Sequence, residues 1–293
     1  MSEVRELIAG WQRMLVPFTD WIGEIRNAAT LRADLIAGIT VALVLVPQSM
    51  AYAQLAGLPP YIGLYASFIP VIIAAFMGSS HQLATGPVAV VSLMTAAALG
   101  PVVASMDLPP DQQLAAYLAL AALLALMVGV FQMLLGLFRL GVLVDFLSHP
   151  VVVGFTNGAA IIIATSQLSK LFGVTVEKAE HHYETVWRVV VAASQGTHML
   201  TMMMGVLALA IMILMKKYTP KIPNVLTAVV VTTLISWGFG FQVAGGAVVG
   251  EVPQGLPGLT VPAFDVQVVI QLALAAVTIA LIGFMEAIAI AKA

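Results

Sequence analysis

Asp34–Leu55 reads DLIAGITVALVLVPQSMAYAQL. No charged residue follows Asp34 within it, and Leu, Ile, Val and Ala dominate. A helix that crosses a bilayer needs about 20 mostly apolar residues, so this stretch is a spanning segment. The whole chain agrees. Of its 293 residues 61% are hydrophobic and 9% charged, with mean hydropathy +1.03, against roughly 45–50% and about 25% in soluble domains. A soluble globular enzyme and a disordered chain are both excluded. The chain is expected to be an all-α polytopic membrane protein with the lipid bilayer as its solvent.

Net charge is −2, so no basic field argues for nucleic acid. There is no cysteine, hence no disulfide framework and no thiolate site. Residues 1–30 carry charges at Glu3, Arg5, Glu6, Arg13, Asp20, Glu24 and Arg26, which leaves no signal-peptide core. Leu7, Ile8, Trp11, Leu15, Phe18, Trp21 and Ile22 recur at helical spacing, so 1–32 is expected to be a cytosolic interfacial segment holding a short amphipathic helix anchored by Trp11 and Trp21. Residues 33–293 form the membrane domain.

After the first span, apolar runs predict a second at 61–77, a short third at 88–103, a fourth at 114–137 and a fifth at 150–170. A hydrophilic loop is expected over 172–197, then spans at 199–215 and 224–239. A Gly/Pro-rich connector fills 240–262, and an eighth span starts near Phe264. That span is still apolar at Ala293, so the chain is expected to be part of a longer protein. With the N-terminus in the cytosol, Arg5, Arg13, Arg26, Arg32, Arg139, Lys216, Lys217, Lys221 and Lys292 lie inside. Only Lys170, Lys178 and Arg188 lie outside, an asymmetry that favours this orientation.

Two places break the smooth apolar pattern. Pro47-Gln48-Ser49 interrupts the first span, where a simple kink competes with a binding role. Thr85-Gly86-Pro87 precedes the short third span, with Pro87 expected at the first helical position. The free N–H groups of Val88, Ala89 and Val90 then point toward mid-membrane, and a helix N-terminus attracts anions. Broken helices at the midplane are a transporter device.

Glu286 sits in an otherwise apolar run, Leu281–Ile290. A carboxylate at a helix centre costs roughly 2.5–3.5 kcal/mol on insertion scales. It therefore reads as a proton or cation site. Hydration near the cytosolic surface, or a partner elsewhere, remain alternatives. Thr156, Asn157 and Gln167 read as packing contacts between helices. His149 reads as a cap or a solvent-facing residue. His181, His182 and Glu184 have metal-like spacing without a fourth ligand and read as a solvated loop. Met202, Met203 and Met204 read as packing filler. No nucleophile elbow, phosphate loop or zinc-protease spacing is present, so neither an enzyme nor a cofactor is indicated.

Several blocks together carry a resemblance. They are Asp34-Leu35-Ile36-Ala37-Gly38-Ile39-Thr40, Val46-Pro47-Gln48-Ser49-Met50-Ala51-Tyr52-Ala53, Leu55-Ala56-Gly57-Leu58-Pro59-Pro60 and Gly63-Leu64-Tyr65. Thr85–Val90, Ser148–Thr156 and Gly250–Pro257 extend it. The chain resembles the sulfate permease (SulP) family of anion transporters. The resemblance implies fourteen segments in two inverted repeats of seven, often followed by a STAS domain. This chain then holds the first repeat plus the eighth segment, with the third segment a half-helix. Segments one to four and eight to eleven form a core, the others a gate. An inorganic anion sits between the third and tenth segments. By motif match Gln48, Tyr52, Gly86, Pro87, Val88 and Ala89 line that site, and Glu286 is the acidic position that carries a proton or lies near sodium. The implied activity is sulfate uptake by proton symport across the plasma (bacterial inner) membrane. Sodium-coupled bicarbonate uptake and a non-transporting scaffold are the alternatives. Family members are commonly homodimers.

Overall fold

The structure is a computed structural model. It describes residues 17–78, 83–138, 140, 149–176, 179, 181–220, 222–250, 252–256, 258 and 264–292. Among these, every regular element is helical. In chain order they are α1 (Phe18–Trp21), a 3₁₀ turn (Glu24–Arg26), α2 (Ala28–Leu55), α3 (Pro60–Met77), α4 (Ala89–Ser105), α5 (Pro110–Leu137), α6 (His149–Ser166), α7 (Leu168–Phe172), α8 (His182–Gly196), α9 (Met199–Tyr218), α10 (Asn224–Gly238) and α11 (Val266–Lys292). Seven of the eight expected spans are single helices, and the fifth, 150–170, is broken at Gln167 into α6 and α7. α2, α3, α5, α9 and α11 are long and apolar enough to cross a membrane, while α4 and α10 are shorter apolar helices. At 17 residues, α4 covers about 25 Å, short of a hydrocarbon core of about 30 Å.

Three expectations are corrected. The region read as a hydrophilic loop contains α8, whose apolar residues recur at a helical period beneath its charges. α2 runs unbroken through Pro47, so Pro47 removes one N–H donor without ending the helix. Pro87 is not the first helical residue. Val88, with extended backbone, is the N-cap and α4 begins at Ala89, so its first free donors belong to Ala89, Val90 and Val91. Within the N-terminal stretch the described residues show a four-residue α-helix, Phe18–Trp21. Phe18 and Trp21 pack on Phe76 of α3, with ring centroids 5.5 and 6.5 Å apart. Trp11 lies outside the described residues.

The chain divides into two compact units. One holds α1–α5 and α11, the other α6–α10. This is the partition between segments one to four with eight, and segments five to seven, that the family resemblance implies.

In the first unit α2 and α3 form an antiparallel hairpin. Asn27 caps α2 by accepting from Ala29 N (3.0 Å). Gly57, at φ +79°, makes the turn that Pro60 then converts into α3. Tyr117 of α5 donates its hydroxyl to the Ala56 carbonyl at 2.7 Å, fastening the hairpin to α5. Leu99 and Val103 of α4, Leu120, Leu123 and Leu124 of α5, and Leu272, Ala276 and Ile279 of α11 form the buried core. Tyr117→Phe deletes one hydrogen bond to a turn carbonyl. It is expected to cost about 1 kcal/mol, read as a fall of a few degrees in the thermal midpoint of detergent-solubilised protein.

In the second unit α6 leads into the short α7, which stops at Gly173 (φ +65°). The Phe172 carbonyl accepts from His198 N (3.0 Å). The His198 ring accepts from Thr201 N and so caps α9.

Candidate functional site

A cavity of about 340 Å³ opens within the first unit among α2, α3, α4, α5 and α11. Tyr52, Pro87 and Val88 stand on its wall. The other polar groups there come from Ser49, Ser92, Thr95 and Gln132, and most of the remaining lining is aliphatic. No lining residue is cationic or acidic.

The α2 wall owes its shape to a close helix contact. Gly63 of α3 lies so near α2 that an added Cβ would run into the Ser49 carbonyl. Ser49 itself is fully buried, its hydroxyl returned to the Val46 carbonyl (3.0 Å). One turn on, Gln48 Nε2 donates to the Tyr52 hydroxyl at 2.7 Å. The i, i+4 spacing brings both onto one face. Tyr52 reaches the cavity wall; Gln48 stands behind it and is not itself a lining residue.

α4 supplies the opposite end. No side chain caps its N-terminus. Its first intrahelical bond runs from Ser92 N to the Val88 carbonyl (3.0 Å), and the residues at that end, Pro87, Val88 and Val91, line the cavity. The hydroxyls of Ser92 and Thr95 are turned back to the carbonyls of Val88 and Val91 (2.9 and 2.8 Å). Gly86 and Ala89 flank the lining without belonging to it, and Gly86 lies beside Leu45 of α2.

Glu286 is off the cavity wall. Ile279, Gly283 and Glu286 follow one another at i, i+4, i+7, a single stripe of α11. Ile279 joins the core and the cavity lining. A Cβ at Gly283 would meet Gln132 Nε2 of α5 at 3.2 Å and Val91 of α4 at 3.8 Å. Glu286 therefore stands one turn beyond the contact with α4 and α5. Its Oε2 is buried without a hydrogen-bond partner among the described residues. Gln132 was not among the residues singled out from the sequence. It donates to the Ala280 carbonyl (3.2 Å), tying α5 to α11. The available signal was a lone amide in an apolar run.

The remaining candidates do not converge on this cavity. His181 stacks on Tyr183, and His182 shares a hydrogen bond with Thr165. Among the described residues no group of three or more metal-binding side chains occurs. Asn157 is exposed, and Gln167 bonds its neighbour Ser166 (3.2 Å) rather than another helix. The side chains of His149 and Thr156 lie outside the described residues.

The sequence profile of the sulfate permease family matches residues 31–293. A probable sulfate transporter of Mycobacterium tuberculosis is 37% identical over 285 residues, covering 97% of this chain and 48% of the relative. The chloroplastic sulfate transporter 4.1 of Arabidopsis thaliana is 39% identical over 270 residues, 89% of this chain and 38% of the relative. Among solved structures, SLC26A9 superposes with a TM-score of 0.85 at 25% identity, covering 99% of this chain and 48% of that one. The transmembrane domain of the cyanobacterial bicarbonate transporter BicA gives a TM-score of 0.72 at 24% identity, covering 86% and 62%, a likeness of fold. The helices and these likenesses define a polytopic membrane transporter domain. The chain belongs to the sulfate permease family. It spans about half the length of the curated relatives it matches.

Proposed function

We propose that this chain supplies the first half of a secondary anion transporter whose substrate is sulfate and whose coupling ion is a proton. One observation carries the reading: the uncapped N-terminus of α4 meets a cavity with no charged side chain on its wall. A helix N-terminus offers about half a positive charge and free donors. With no fixed cation added, an anion is attracted without being trapped, as a carrier that must release its cargo requires. The relatives named as sulfate transporters support sulfate. In this reading Tyr52, Pro87 and Val88 contact the anion, Gly86 and Ala89 shape the turn around it, and Gln48 orients the Tyr52 hydroxyl. Glu286 carries the proton. The chain lies in the plasma (or bacterial inner) membrane with its N-terminus in the cytosol, and the full protein is a homodimer.

The test is labelled sulfate uptake by the full-length gene product in proteoliposomes, with an inward proton gradient. Gradient-dependent accumulation is expected. No sulfate uptake under any gradient overturns the substrate, and sodium-dependent bicarbonate uptake then takes its place. Binding of no anion at all leaves the scaffold reading. Gln48→Ala frees the Tyr52 hydroxyl to rotate. Hydrogen bonds to a charged group contribute about 1.5–3 kcal/mol, so an increase in KM of about tenfold is expected, with expression unchanged and a thermal midpoint lower by no more than a few degrees. Normal uptake kinetics in that variant would remove Gln48 from the site.

A further inference from the structure

The helix that replaces the expected loop has three distinct faces. Val189 is buried, and Thr185, Val186, Ala192 and Ala193 on the same side are partly buried. Tyr183 (70% exposed), Trp187 (67%), Val190 and Val191 occupy a second sector about 100° wide. Ser194 shares that sector with its hydroxyl returned to the Val191 carbonyl (2.7 Å). Glu184, Arg188 and Gln195 fill the narrow sector between the two. An aromatic and aliphatic stripe this exposed has no stabilising role toward water.

The connections fix where the helix lies. At its start, His182 Nε2 is 2.7 Å from the hydroxyl of Thr165, in the last turn of the apolar helix α6. At its end, Thr197 and His198 alone separate Gly196 from Met199, the first residue of the span α9. The end of α6 and the start of α9 are themselves joined through α7, whose Phe172 carbonyl accepts from His198 N (3.0 Å). α7 has five residues, about 8 Å of helix, whereas the 15 residues of α8 extend about 22 Å. α8 thus starts against the end of the apolar helix α6 and ends two residues before the span α9. It has one side on protein and one charged side, and its third carries the residues that favour the headgroup boundary. Tyr and Trp are enriched there because a ring with a polar edge satisfies both phases.

We propose that α8 is an interfacial helix whose Tyr183, Trp187, Val190 and Val191 face is seated in the lipid headgroup and upper acyl region, with Glu184, Arg188 and Gln195 toward water. The occupant of the stripe is lipid because α8 leads within two residues into the span α9 and begins against the apolar helix α6. An interfacial helix buries its apolar face about 5–10 Å into this boundary. The contact sets the depth of the second unit in the bilayer, and it stands whether or not the transport reading does.

Residues 1–293 contain no cysteine, which makes site-directed spin labelling direct. Single cysteines are placed at Tyr183, Trp187 and Val190, at Glu184 and Gln195, and at the buried Val189. They are introduced into the full-length gene product, with any cysteine beyond residue 293 changed to serine. The labelled proteins are reconstituted in phosphatidylcholine vesicles. Collision with oxygen, which concentrates in lipid, is compared with collision with a water-soluble nickel chelate. Positions 183, 187 and 190 are expected to favour oxygen and positions 184 and 195 nickel, with 189 shielded from both. Nickel-favouring labels at 183, 187 and 190 would put the stripe in water and overturn the proposal. Shielding of these three from both reagents would mean that protein, a second copy or another segment, covers the stripe, and would also overturn it. A label that disturbs folding at one position leaves the periodic pattern over the others to decide.

Discussion

Gly63→Val is expected to eliminate properly folded protein. α2 and α3 cross at this residue so closely that a single added carbon meets the Ser49 carbonyl and approaches the Met50 nitrogen. Backbone cannot rotate away as a flexible side chain does. Overpacking a core typically costs about 1–3 kcal/mol, and a clash with helix backbone lies at or above the upper end. The cost is compounded by the setting. Within lipid there is little hydrophobic drive to hold helices together, so close packing over small residues carries much of their association. Separating α2 from α3 also moves Ser49 and Tyr52, and with them one wall of the cavity. Gly38→Ala in α2 meets nothing within 4 Å. It is expected to be neutral or to gain up to about 1 kcal/mol from helix propensity. Size-exclusion profiles and thermal midpoints of the two variants check the contrast. A monodisperse Gly63→Val protein with a wild-type midpoint would show that the α2–α3 contact is not as tight as described.

What the sequence disclosed, and what it hid, follow the physics of each signal. The long apolar helices were legible because lipid demands long uncharged runs, and such runs do not depend on tertiary context. The short third span was legible from Thr85-Gly86-Pro87, although the exact start was misplaced by two residues. Pro87 is compatible with the first helical position, and only backbone geometry shows that Val88 is still extended. α8 was hidden because its charges at Glu184 and Arg188 lowered the local hydropathy, while its apolar residues keep a helical period that a search for spans does not read. Pro47 looked like a break because proline removes a helix donor, yet its neighbours carry the helix through it. The cavity wall was partly visible: Tyr52, Pro87 and Val88 came from motifs. Ser49 stood in the same block as Tyr52 without a role of its own, while Ser92, Thr95 and Gln132 are ordinary residues in apolar helices whose relevance comes from packing alone.

Glu286→Gln is expected to abolish proton-driven accumulation while leaving anion exchange intact. Glu286 continues the stripe Ile279–Gly283 that packs on α4 and α5, and its Oε2 is buried without a partner among the described residues. An ionised carboxylate so placed is costly inside a bilayer, and a proton removes the charge. Gln keeps nearly the same shape and cannot titrate, so the variant tests the proton rather than the packing. A gradient of one pH unit supplies about 1.4 kcal/mol per proton, worth about tenfold in accumulation at equilibrium. Wild-type accumulation should therefore climb by about that factor per unit of inward gradient for each proton carried. Glu286→Gln should stay near equal concentrations inside and outside, and its initial uptake should no longer fall as external pH rises. Exchange of internal for external sulfate needs no net proton movement, and the variant leaves the proposed anion site around Tyr52, Pro87 and Val88 untouched. Loss of both activities with normal folding would make Glu286 part of the anion pathway itself. Retention of gradient-driven accumulation would move the coupling site elsewhere in the full-length protein.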